Sequence, residues 1–366
     1  MRILLDYRPA LRQRTGVGEY VHGLATALAE LLTPADSLTL FSSSWKDRLS
    51  AGVVPGVRIH DSRIPVGVLN AAWHRLGWPP VELLAGPVDV AHSMHPLMMP
   101  SRGARLVTIH DLYFLSRPEH ATGEIRRDYP RLARDHAHRA DAVVVNSQYT
   151  KNEVMDRLGL PPDRITVCTP GAPAWERRPE PPAPGPILFI GTIAPRKNVP
   201  GLLRAFTQLA DSRGDTPELV LAGRMTADGL HGTGVDVASV IDRIRMPGYV
   251  DDAAKQDLYR QASMVVVPSF DEGFGIPALE AMAMGVPLIA ANRGALPEVI
   301  ADAGLLVDPD DAATMAEAMN RVLTDSALRR RMADAGVARA ARYTWKASAA
   351  RLCETYRAVA GRRGAA

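Results

Sequence analysis

The chain has 366 residues, 46% of them hydrophobic and 23% charged, and this length exceeds what one hydrophobic core usually organises, so two domains are expected. Its 43 basic and 40 acidic residues leave a formal net charge of +3, too even a balance for a nucleic-acid-binding protein. Two cysteines exclude a disulfide framework, and every apolar run is too short for a secretory signal or a membrane span, so we expect a cytoplasmic protein.

The first half alternates short apolar runs with amphipathic stretches, which is typical of βαβ units around a parallel sheet. Five runs predict buried strands: Arg2–Leu5, Leu38–Phe41, Val88–Ala91, Leu106–Ile109 and Ala142–Val145. Apolar residues at helical spacing predict a helix over Gly18–Leu32. Ser147 is a candidate cap for a second helix that includes Glu153–Leu158.

A proline-rich segment, Pro173–Pro186, then interrupts the pattern, and we expect it to form a stiff extended connector. The alternation resumes after it. The predicted strands are Ile187–Ile190, Glu218–Ala222, Met246–Tyr249, Met264–Val267, Pro287–Ala290 and Gly304–Val307. The predicted helices are Leu202–Ala210, Ala253–Ala262, Ala278–Met284, Ala312–Leu323 and Ala327–Ala341.

These elements predict an α/β protein with two doubly wound, Rossmann-like domains facing a cleft. We expect a first domain over residues 1–172, a linker over 173–186 and a second domain over 187–345. The amphipathic tail, residues 346–366, is expected to cross back and pack on the first domain.

A glycine-containing segment, Thr15–Tyr20, follows the first predicted strand and opens the first helix. Amides near Gly16 and Gly18 suit a phosphate group at a helix N-terminus. A dinucleotide fingerprint would need a third glycine where Val21 stands, so a plain strand-to-helix turn is an equal alternative.

Two adjacent cations, Arg196 and Lys197, follow the first strand of the second half. Arg supplies a planar fork of donors and Lys a point charge, and both suit a diphosphate. A solvated surface pair is the usual alternative, but the end of a parallel strand favours a ligand.

The segment Ser269–Glu280 carries the most specific pattern. Glycines loosen the turn after a predicted strand, and a helix is expected to begin near Pro277. Glu272 precedes this helix and Glu280 lies in its first turns, so both carboxylates could face the cleft. Carboxylates there suit hydroxyl recognition, and the glycine turn between them favours a phosphate-bearing ligand over a paired acid/base hydrolase.

His110 ends a first-half strand at the expected cleft rim, where a catalytic and a structural role are equally plausible. His92 and His95 follow a neighbouring strand, but no companion carboxylate supports a metal site, and none is expected. A basic run over Arg126–Arg139 is interpreted as a solvated helix face, with contact to an anionic acceptor or to membrane lipid as the alternative.

These motifs together resemble the retaining glycosyltransferases of the GT-B fold, the group 1, family 4 type that includes many bacterial mannosyltransferases. The segments that carry the resemblance are Gly16-Val17-Gly18, His110-Asp111, Pro195-Arg196-Lys197-Asn198, Gly248-Tyr249-Val250-Asp251, Pro268-Ser269, Glu272-Gly273-Phe274-Gly275-Ile276-Pro277, Glu280-Ala281-Met282-Ala283 and Leu296-Pro297-Glu298-Val299. The similarity spans nearly the whole chain, and it implies that residues 1–172 form an acceptor-binding domain and residues 187–345 a nucleotide-sugar-binding domain.

The resemblance implies a role for each matching residue. Glu272 would hold hydroxyls of the donor sugar, Glu280 the ribose, and His110 a donor hydroxyl beside the acceptor. Arg196 and Lys197 would neutralise the diphosphate leaving group. In this family the second cation usually stands several residues after the arginine, whereas here it is adjacent. The remaining donor-binding positions would be Gly16, Gly18, Tyr249, Val250, Phe274 and Gly275.

The resemblance further implies a metal-independent hexosyl transfer with retention of configuration, from a nucleotide sugar to a glycan or lipid-linked acceptor in cell-surface polysaccharide assembly. GDP-mannose is the favoured donor and UDP-sugars are the close rival. Peripheral contact with the inner face of the membrane is compatible with this. Two alternatives stay open at this point: a nucleotide-sugar 2-epimerase of similar fold, and a non-catalytic nucleotide-sugar-binding subunit.

Overall fold

A computed structural model describes residues 1–11, 14, 16–120, 123–179, 185–226 and 238–364, with backbone alone at 120, 123–128 and 364. The chain divides into two compact units. The first comprises Met1–Gly171 and Thr344–Ala366, and the second comprises Ala172–Tyr343. The connector predicted over Pro173–Pro186 therefore belongs to the second unit, and its residues 180–184 lie outside the described residues.

The first unit is built on seven parallel strands in the order β3-β2-β1-β4-β5-β6-β7. The strands are β1 Arg2–Asp6, β2 Ser37–Ser42, β3 Arg58–Asp61, β4 Val90–Ser93, β5 Ala104–Ile109, β6 Ala142–Val145 and β7 Ile165–Val167. Its helices are α1 Gly16–Leu31, α2 Val66–Leu76, α3 Glu82–Ala85, α4 Tyr113–Ser116, α5 Gly123–Arg139, α6 Gln148–Leu158 and the C-terminal α13 Trp345–Gly364.

The second unit has six parallel strands in the order β10-β9-β8-β11-β12-β13. They are β8 Ile187–Ile190, β9 Leu219–Ala222, β10 Ile244–Gly248, β11 Met264–Val267, β12 Leu288–Ala291 and β13 Leu305–Val307. The helices are α7 Val199–Ser212, α8 Asp252–Gln261, α9 Ile276–Met284, α10 Leu296–Ile300, α11 Ala312–Thr324 and α12 Ser326–Ala340.

The central strands of both sheets are buried on their two faces, which is why they read as continuous apolar runs. In β6 and β11 all four residues are buried. The prediction of two doubly wound α/β domains is therefore confirmed. None of the helices in the described residues is both long enough and apolar enough to span a membrane.

The C-terminal helix α13 packs against the first unit, as predicted. Leu352 and Tyr356 of α13 lie in the same buried cluster as Leu24 and Leu28 of α1. The Tyr356 hydroxyl also contacts His92 Nδ1 at 2.7 Å, at the end of β4. The last helix therefore completes a core that begins with the first one.

Each sheet reverses its strand order at one place. In the first unit the reversal lies between β1 and β4, and in the second between β8 and β11. Ligands of doubly wound sheets bind beyond the carboxyl ends of the strands at this switch point, because the two flanking loops diverge there and leave a crevice. The loops after β8 and β11 are thus where the topology predicts a site in the second unit.

Candidate active site

The loop after β8 carries both predicted cations on a short 3-10 turn, Pro195–Lys197. Asn198 ends this turn with a left-handed φ of 50° and begins α7, and its Oδ1 accepts the amide of Gly201 at 3.1 Å. Its Nδ2 donates to the carbonyl oxygens of Pro268 at 3.2 Å and Pro309 at 2.8 Å. One buried amide side chain therefore ties the cationic turn to the loops after β11 and β13.

The loop after β11 brings Glu272 to the same place. Lys197 Nζ donates to its Oε1, and Arg196 Nη1 donates to its Oε2 at 3.3 Å. The Ser269 hydroxyl donates to Oε1 at 2.7 Å. The Glu272 side chain is only 7% exposed, against 27% for Arg196 and 13% for Lys197. Three of the predicted site residues thus form one cluster at the switch point.

The backbone of Glu272 is held as firmly as its carboxylate. Its carbonyl oxygen accepts the amide of Ala295 at 2.8 Å. A Cβ on the neighbouring Gly294 would lie 2.6 Å from the amide nitrogen and 2.7 Å from the carbonyl oxygen of Glu272. The loop before α10 therefore packs directly on the Glu272 peptide, which is possible only where residue 294 has no side chain.

Glu272 is ionised at neutral pH. Burial by itself would raise the pKa of this carboxyl, but the charges of Lys197 and Arg196, with the hydrogen bonds from Lys197 and Ser269, outweigh burial and lower it below the ordinary value. Two cations therefore face one buried carboxylate, and the cluster carries a net positive charge. Such a cluster suits a ligand that combines negative charge with hydroxyl groups.

Glu280 lies in a second cluster. It projects from α9 with 8% of its side chain exposed, and Lys255 Nζ donates to its Oε1 at 2.7 Å. The Tyr259 hydroxyl donates to its Oε2 at 2.8 Å. Both partners come from α8. The two glutamates of the predicted pattern thus have different partners, although they flank the same loop and helix start.

The other predicted donor-binding positions of the second unit surround this edge of the sheet. Tyr249 and Val250 directly follow β10, and the Arg224 guanidinium lies 5.6 Å from the centre of the Tyr249 ring. Phe274 buries its side chain against Tyr343, so only its backbone is available to a ligand. Gly275 caps α9 with a left-handed φ of 97°, and a Cβ there would lie 2.6 Å from a methyl carbon of Leu296.

His110 belongs to the first unit, directly after β5. Its Nε2–H donates to the Met94 carbonyl oxygen at 3.1 Å, and its ring packs edge-on against Tyr20 at 5.2 Å. Burial lowers the pKa of His110, so the ring is neutral at neutral pH. The hydrogen bond to Met94 assigns the proton to Nε2, which leaves Nδ1 as a hydrogen-bond acceptor.

The remaining predicted positions of the first unit lie in the first turn of α1. Gly16 is the first residue of this helix, and Thr15 before it lies outside the described residues. A Cβ on Gly18 would lie 3.1 Å from the Pro9 carbonyl oxygen, so this glycine lets α1 approach the preceding turn. Binding of a phosphate by the amides of this turn stays a prediction.

The neighbouring histidines have partners of their own. His92 is fully buried between Tyr356 and Thr108, and His95 contacts the buried Asp6 at 2.9 Å while its Nδ1 accepts the amide of Leu97. Among the described residues, no group of three or more His, Cys, Asp or Glu side chains is arranged to hold a metal ion.

The basic run on α5 is partly used within the unit. Arg134 donates to the Arg157 carbonyl at 2.7 Å, and His138 donates to that of Leu158 at 2.7 Å. His136 is buried and its Nδ1 accepts the amide of Met98. The side chains of Arg126 and Arg127 lie outside the described residues.

Four further residues of the two clusters were given no role of their own from the sequence: Asn198 and Ser269, which stand in the quoted segments, and Lys255 and Tyr259. An asparagine ahead of Val199-Pro200 is a recognisable helix-start signal, so the role of Asn198 could have been found. Lys255 and Tyr259 stand four residues apart on α8 and share a face, but no local pattern indicates that this face meets α9.

Comparison with known proteins matches two family models to the chain. The model for glycosyl transferases group 1 matches residues 176–339, and the model for glycosyltransferase family 4 matches residues 14–174. The chain is 32% identical over 274 residues to the O-antigen chain mannosyltransferase B of Escherichia coli, covering 71% of this chain and 72% of that protein. The chain therefore belongs to the group 1 glycosyltransferase family and is a glycosyltransferase.

One further sequence relative and one solved structure are also similar to the chain. The D-inositol 3-phosphate glycosyltransferase of Corynebacterium glutamicum is 33% identical over 241 residues, covering 59% of this chain and 57% of that protein. The solved structure of sucrose-phosphate synthase from Thermosynechococcus elongatus superposes with a TM-score of 0.75 over 98% of both chains at 23% identity. The structural likeness supports the GT-B fold.

Proposed function

We propose that this glycosyltransferase transfers a hexosyl unit, preferably mannosyl from GDP-mannose, to a glycan or glycolipid acceptor with retention of anomeric configuration. The observation that carries the proposal is the cluster of Arg196 and Lys197 on the buried Glu272 at the switch point of the second sheet. The similarity to an O-antigen chain mannosyltransferase favours mannose and polysaccharide assembly.

The chemistry follows from these charges. Breaking the bond between the sugar and its phosphate builds negative charge on the departing diphosphate, and cations fixed in advance stabilise that charge without reorganising. Arg196 and Lys197 are fixed by Glu272 and by the turn that Asn198 anchors. Glu272 would in turn accept hydrogen bonds from hydroxyls of the donor sugar.

Retention requires the acceptor hydroxyl to attack from the face that the diphosphate leaves. A phosphate oxygen of the leaving group takes the acceptor's proton, the new glycosidic bond forms, and the nucleoside diphosphate departs. This route needs no nucleophilic carboxylate on the opposite face of the sugar. His110, neutral and with Nδ1 as an acceptor, would hold a donor hydroxyl.

The donor is tested first by binding. Ligands that bind the folded state raise the melting temperature by mass action, so the chain is screened against GDP-mannose, UDP-glucose, UDP-galactose and UDP-N-acetylglucosamine. We expect GDP-mannose to give the largest shift. A larger shift with a UDP-sugar overturns the mannosyl assignment, and conversion of UDP-N-acetylglucosamine without an acceptor would identify an epimerase.

The site is tested by removing charge while keeping side-chain length. Lys197→Met and Glu272→Gln should each lower donor turnover by about 10²- to 10³-fold, the usual effect of removing one group that stabilises transition-state charge. Arg245→Met is the matched control. Arg245 lies on an exposed part of β10 and pairs with the exposed Glu218, so this substitution also removes one charge from an ion pair but leaves the cluster unchanged. Full turnover by folded Lys197→Met and Glu272→Gln proteins would refute the site.

Two readouts test the mechanism. NMR of the sugar first released by donor hydrolysis should show the anomeric configuration of the donor, and the inverted anomer would overturn retention. Turnover should be unchanged by EDTA, because protein cations stabilise the leaving group in this proposal.

Contact of the exposed Arg131 and Arg139 with an anionic acceptor or lipid stays a prediction.

A further inference from the structure

The partners of Glu280 within the described residues use only part of its hydrogen-bonding capacity. Each carboxylate oxygen has about two acceptor positions, and one on each oxygen is taken, by Lys255 at 2.7 Å and by Tyr259 at 2.8 Å. The two donors approach from α8, and the side chain is 8% exposed. The carboxylate plane is therefore fixed, and each oxygen can accept one further hydrogen bond.

Lys255 has further contacts besides Glu280. Its Nζ lies 5.5 Å from the centre of the Trp175 ring, and Trp175 packs at 5.4 Å against Tyr259. Lys255 also pairs with Asp252 at 3.5 Å, but that carboxylate is 72% exposed and therefore well solvated. Trp175 thus contacts both Lys255 and Tyr259, and the ammonium group of Lys255 is directed at Glu280.

A lysine in this position also solves an electrostatic problem. A buried carboxylate without a cation repels a nucleoside diphosphate, and burying it unpaired is costly. Lys255 neutralises Glu280, so that the carboxylate accepts hydrogen bonds without opposing the charge that Arg196 and Lys197 attract. The two remaining acceptor positions, side by side on one carboxylate, match the two neighbouring hydroxyls of a ribose.

We propose that Lys255 is a positioning residue for the donor: by holding Glu280 together with Tyr259, it makes the enzyme selective for a ribonucleoside diphosphate over its 2′-deoxy counterpart. This inference rests on the proposed function, and it takes Glu280 as the residue that binds the ribose of the donor, which is the role that the resemblance implies. A purely structural alternative is that the Lys255–Glu280 pair joins α8 to α9 and has no influence on the ligand.

The ratio of two dissociation constants separates these possibilities. Calorimetry measures Kd for GDP and 2′-deoxy-GDP, and for UDP and 2′-deoxy-UDP, with the wild type, Glu280→Gln and Lys255→Met. We expect the wild type to prefer the ribonucleotide by about tenfold or more, as loss of a hydrogen bond to a charged group implies. In both variants the ratio should fall close to one. A structural role would lower the melting temperature and leave the ratio unchanged.

Three further variants complete the test. Tyr259→Phe removes a single hydroxyl and should reduce the ratio, so the inference can be tested even if Lys255→Met fails to fold. Lys255→Arg should restore most of the ratio, because it keeps a cationic donor. Arg260→Met, on the same helix in an exposed pair with Asp257, should leave the ratio as in the wild type.

The outcomes are distinguishable from failure of the proposed function. A wild type that binds neither GDP nor UDP refutes the proposed function, and the present inference with it. A ratio that collapses in Glu280→Gln but persists in folded Lys255→Met and Tyr259→Phe refutes the positioning role alone. A ratio unaffected by Glu280→Gln refutes the ribose assignment on which the role depends.

Discussion

Gly294 shows how a single residue outside every predicted motif controls the geometry of Glu272. Its φ is +62°, and its Cα lies so close to Glu272 that a Cβ would overlap both the amide nitrogen and the carbonyl oxygen of that residue. Backbone cannot swing aside as a flexible side chain can. Gly294→Ala should therefore displace Glu272 from Lys197 and weaken donor binding at least about tenfold, measured by calorimetry with the preferred nucleotide sugar.

The matched control separates this clash from the cost of a left-handed backbone. Gly159 ends α6 with a φ of +72°, and a Cβ added there would have no described atom within 4 Å. Gly159→Ala should cost about 1 kcal/mol of stability, as expected for an unfavourable φ alone, and leave donor affinity unchanged. Equal effects of the two substitutions on affinity would contradict the steric argument at Gly294.

At the scale of elements, the contact between α1 and α13 depends on the absence of a side chain at Gly23. A Cβ there would overlap the indole ring of Trp345. Gly23→Ala should therefore lower the free energy of unfolding by about 1–3 kcal/mol, the range typical of overpacking, although alanine is the better helix former. Urea unfolding followed by tryptophan fluorescence measures the loss.

For Gly361 in α13 we expect the opposite effect of an alanine on stability. It is exposed, and no atom of the described residues lies within 4 Å of a Cβ at this position. Gly361→Ala should therefore stabilise the chain by up to about 1 kcal/mol, because only helix propensity changes. A stabilising Gly23→Ala substitution would show that α13 adjusts without cost.

Strands that are buried on both faces were predictable from the sequence, whereas only two of the four edge strands, β10 and β13, were found. All eleven predicted strands overlap observed ones, and the central ones were clearest because runs such as Ala142–Val145 and Met264–Val267 are continuously apolar. The two missed strands lie at the edges of the first sheet. β3 is Arg-Ile-His-Asp and only partly buried, and β7 has three residues, so neither carries a clear periodic signal.

The contacts of the candidate site were also only partly predictable from the sequence. Arg196, Lys197 and Glu272 follow the ends of β8 and β11, so their meeting follows from the order of a doubly wound sheet. The contact of Lys255 with Glu280 depends on how α8 packs beside α9, and that of Gly294 on how two loops approach each other. Such contacts between elements distant in sequence leave no local periodicity to detect.

At the scale of the whole molecule, the two units should respond differently to mild acid. Nine of the ten histidines lie in the first unit, and the remaining one, His231, lies outside the described residues. Burial lowers the pKa of His92 to about 3. Burial, with nearby His74 and Arg139, lowers the pKa of His136 to about 4. Both rings are buried and hydrogen-bonded, so the folded state resists their protonation.

The sign of the pH dependence follows from these directions. An unfolded histidine binds a proton near pH 6.5, whereas folded His92 and His136 stay neutral until about pH 3 to 4. The contribution of these two neutral rings to the free energy of unfolding is therefore fully present above pH 6.5. It is lost as the pH falls from there towards the folded pKa values, at about 1.4 kcal/mol per pH unit for each ring. Glu272, whose pKa is lowered, contributes stability to the second unit that is fully present above about pH 4.5 and is lost only as the pH falls below this value.

Lowering the pH from 7.5 to 5.0 should thus destabilise the first unit by at least about 4 kcal/mol, about 2 kcal/mol from each of these two rings, and spare the second. Burial also lowers the pKa of His110 and of His60 in the first unit, so these rings add to the loss. Tryptophan fluorescence during urea unfolding reports mainly on the first unit, because Trp45, Trp73, Trp78 and Trp345 lie there. His92→Gln removes one of these proton uptakes and should reduce the loss by about 2 kcal/mol, whatever the stability of the variant at pH 7.5. An identical loss in His92→Gln and the wild type would show that the buried His92 between Tyr356 and Thr108 does not control the acid sensitivity of this unit.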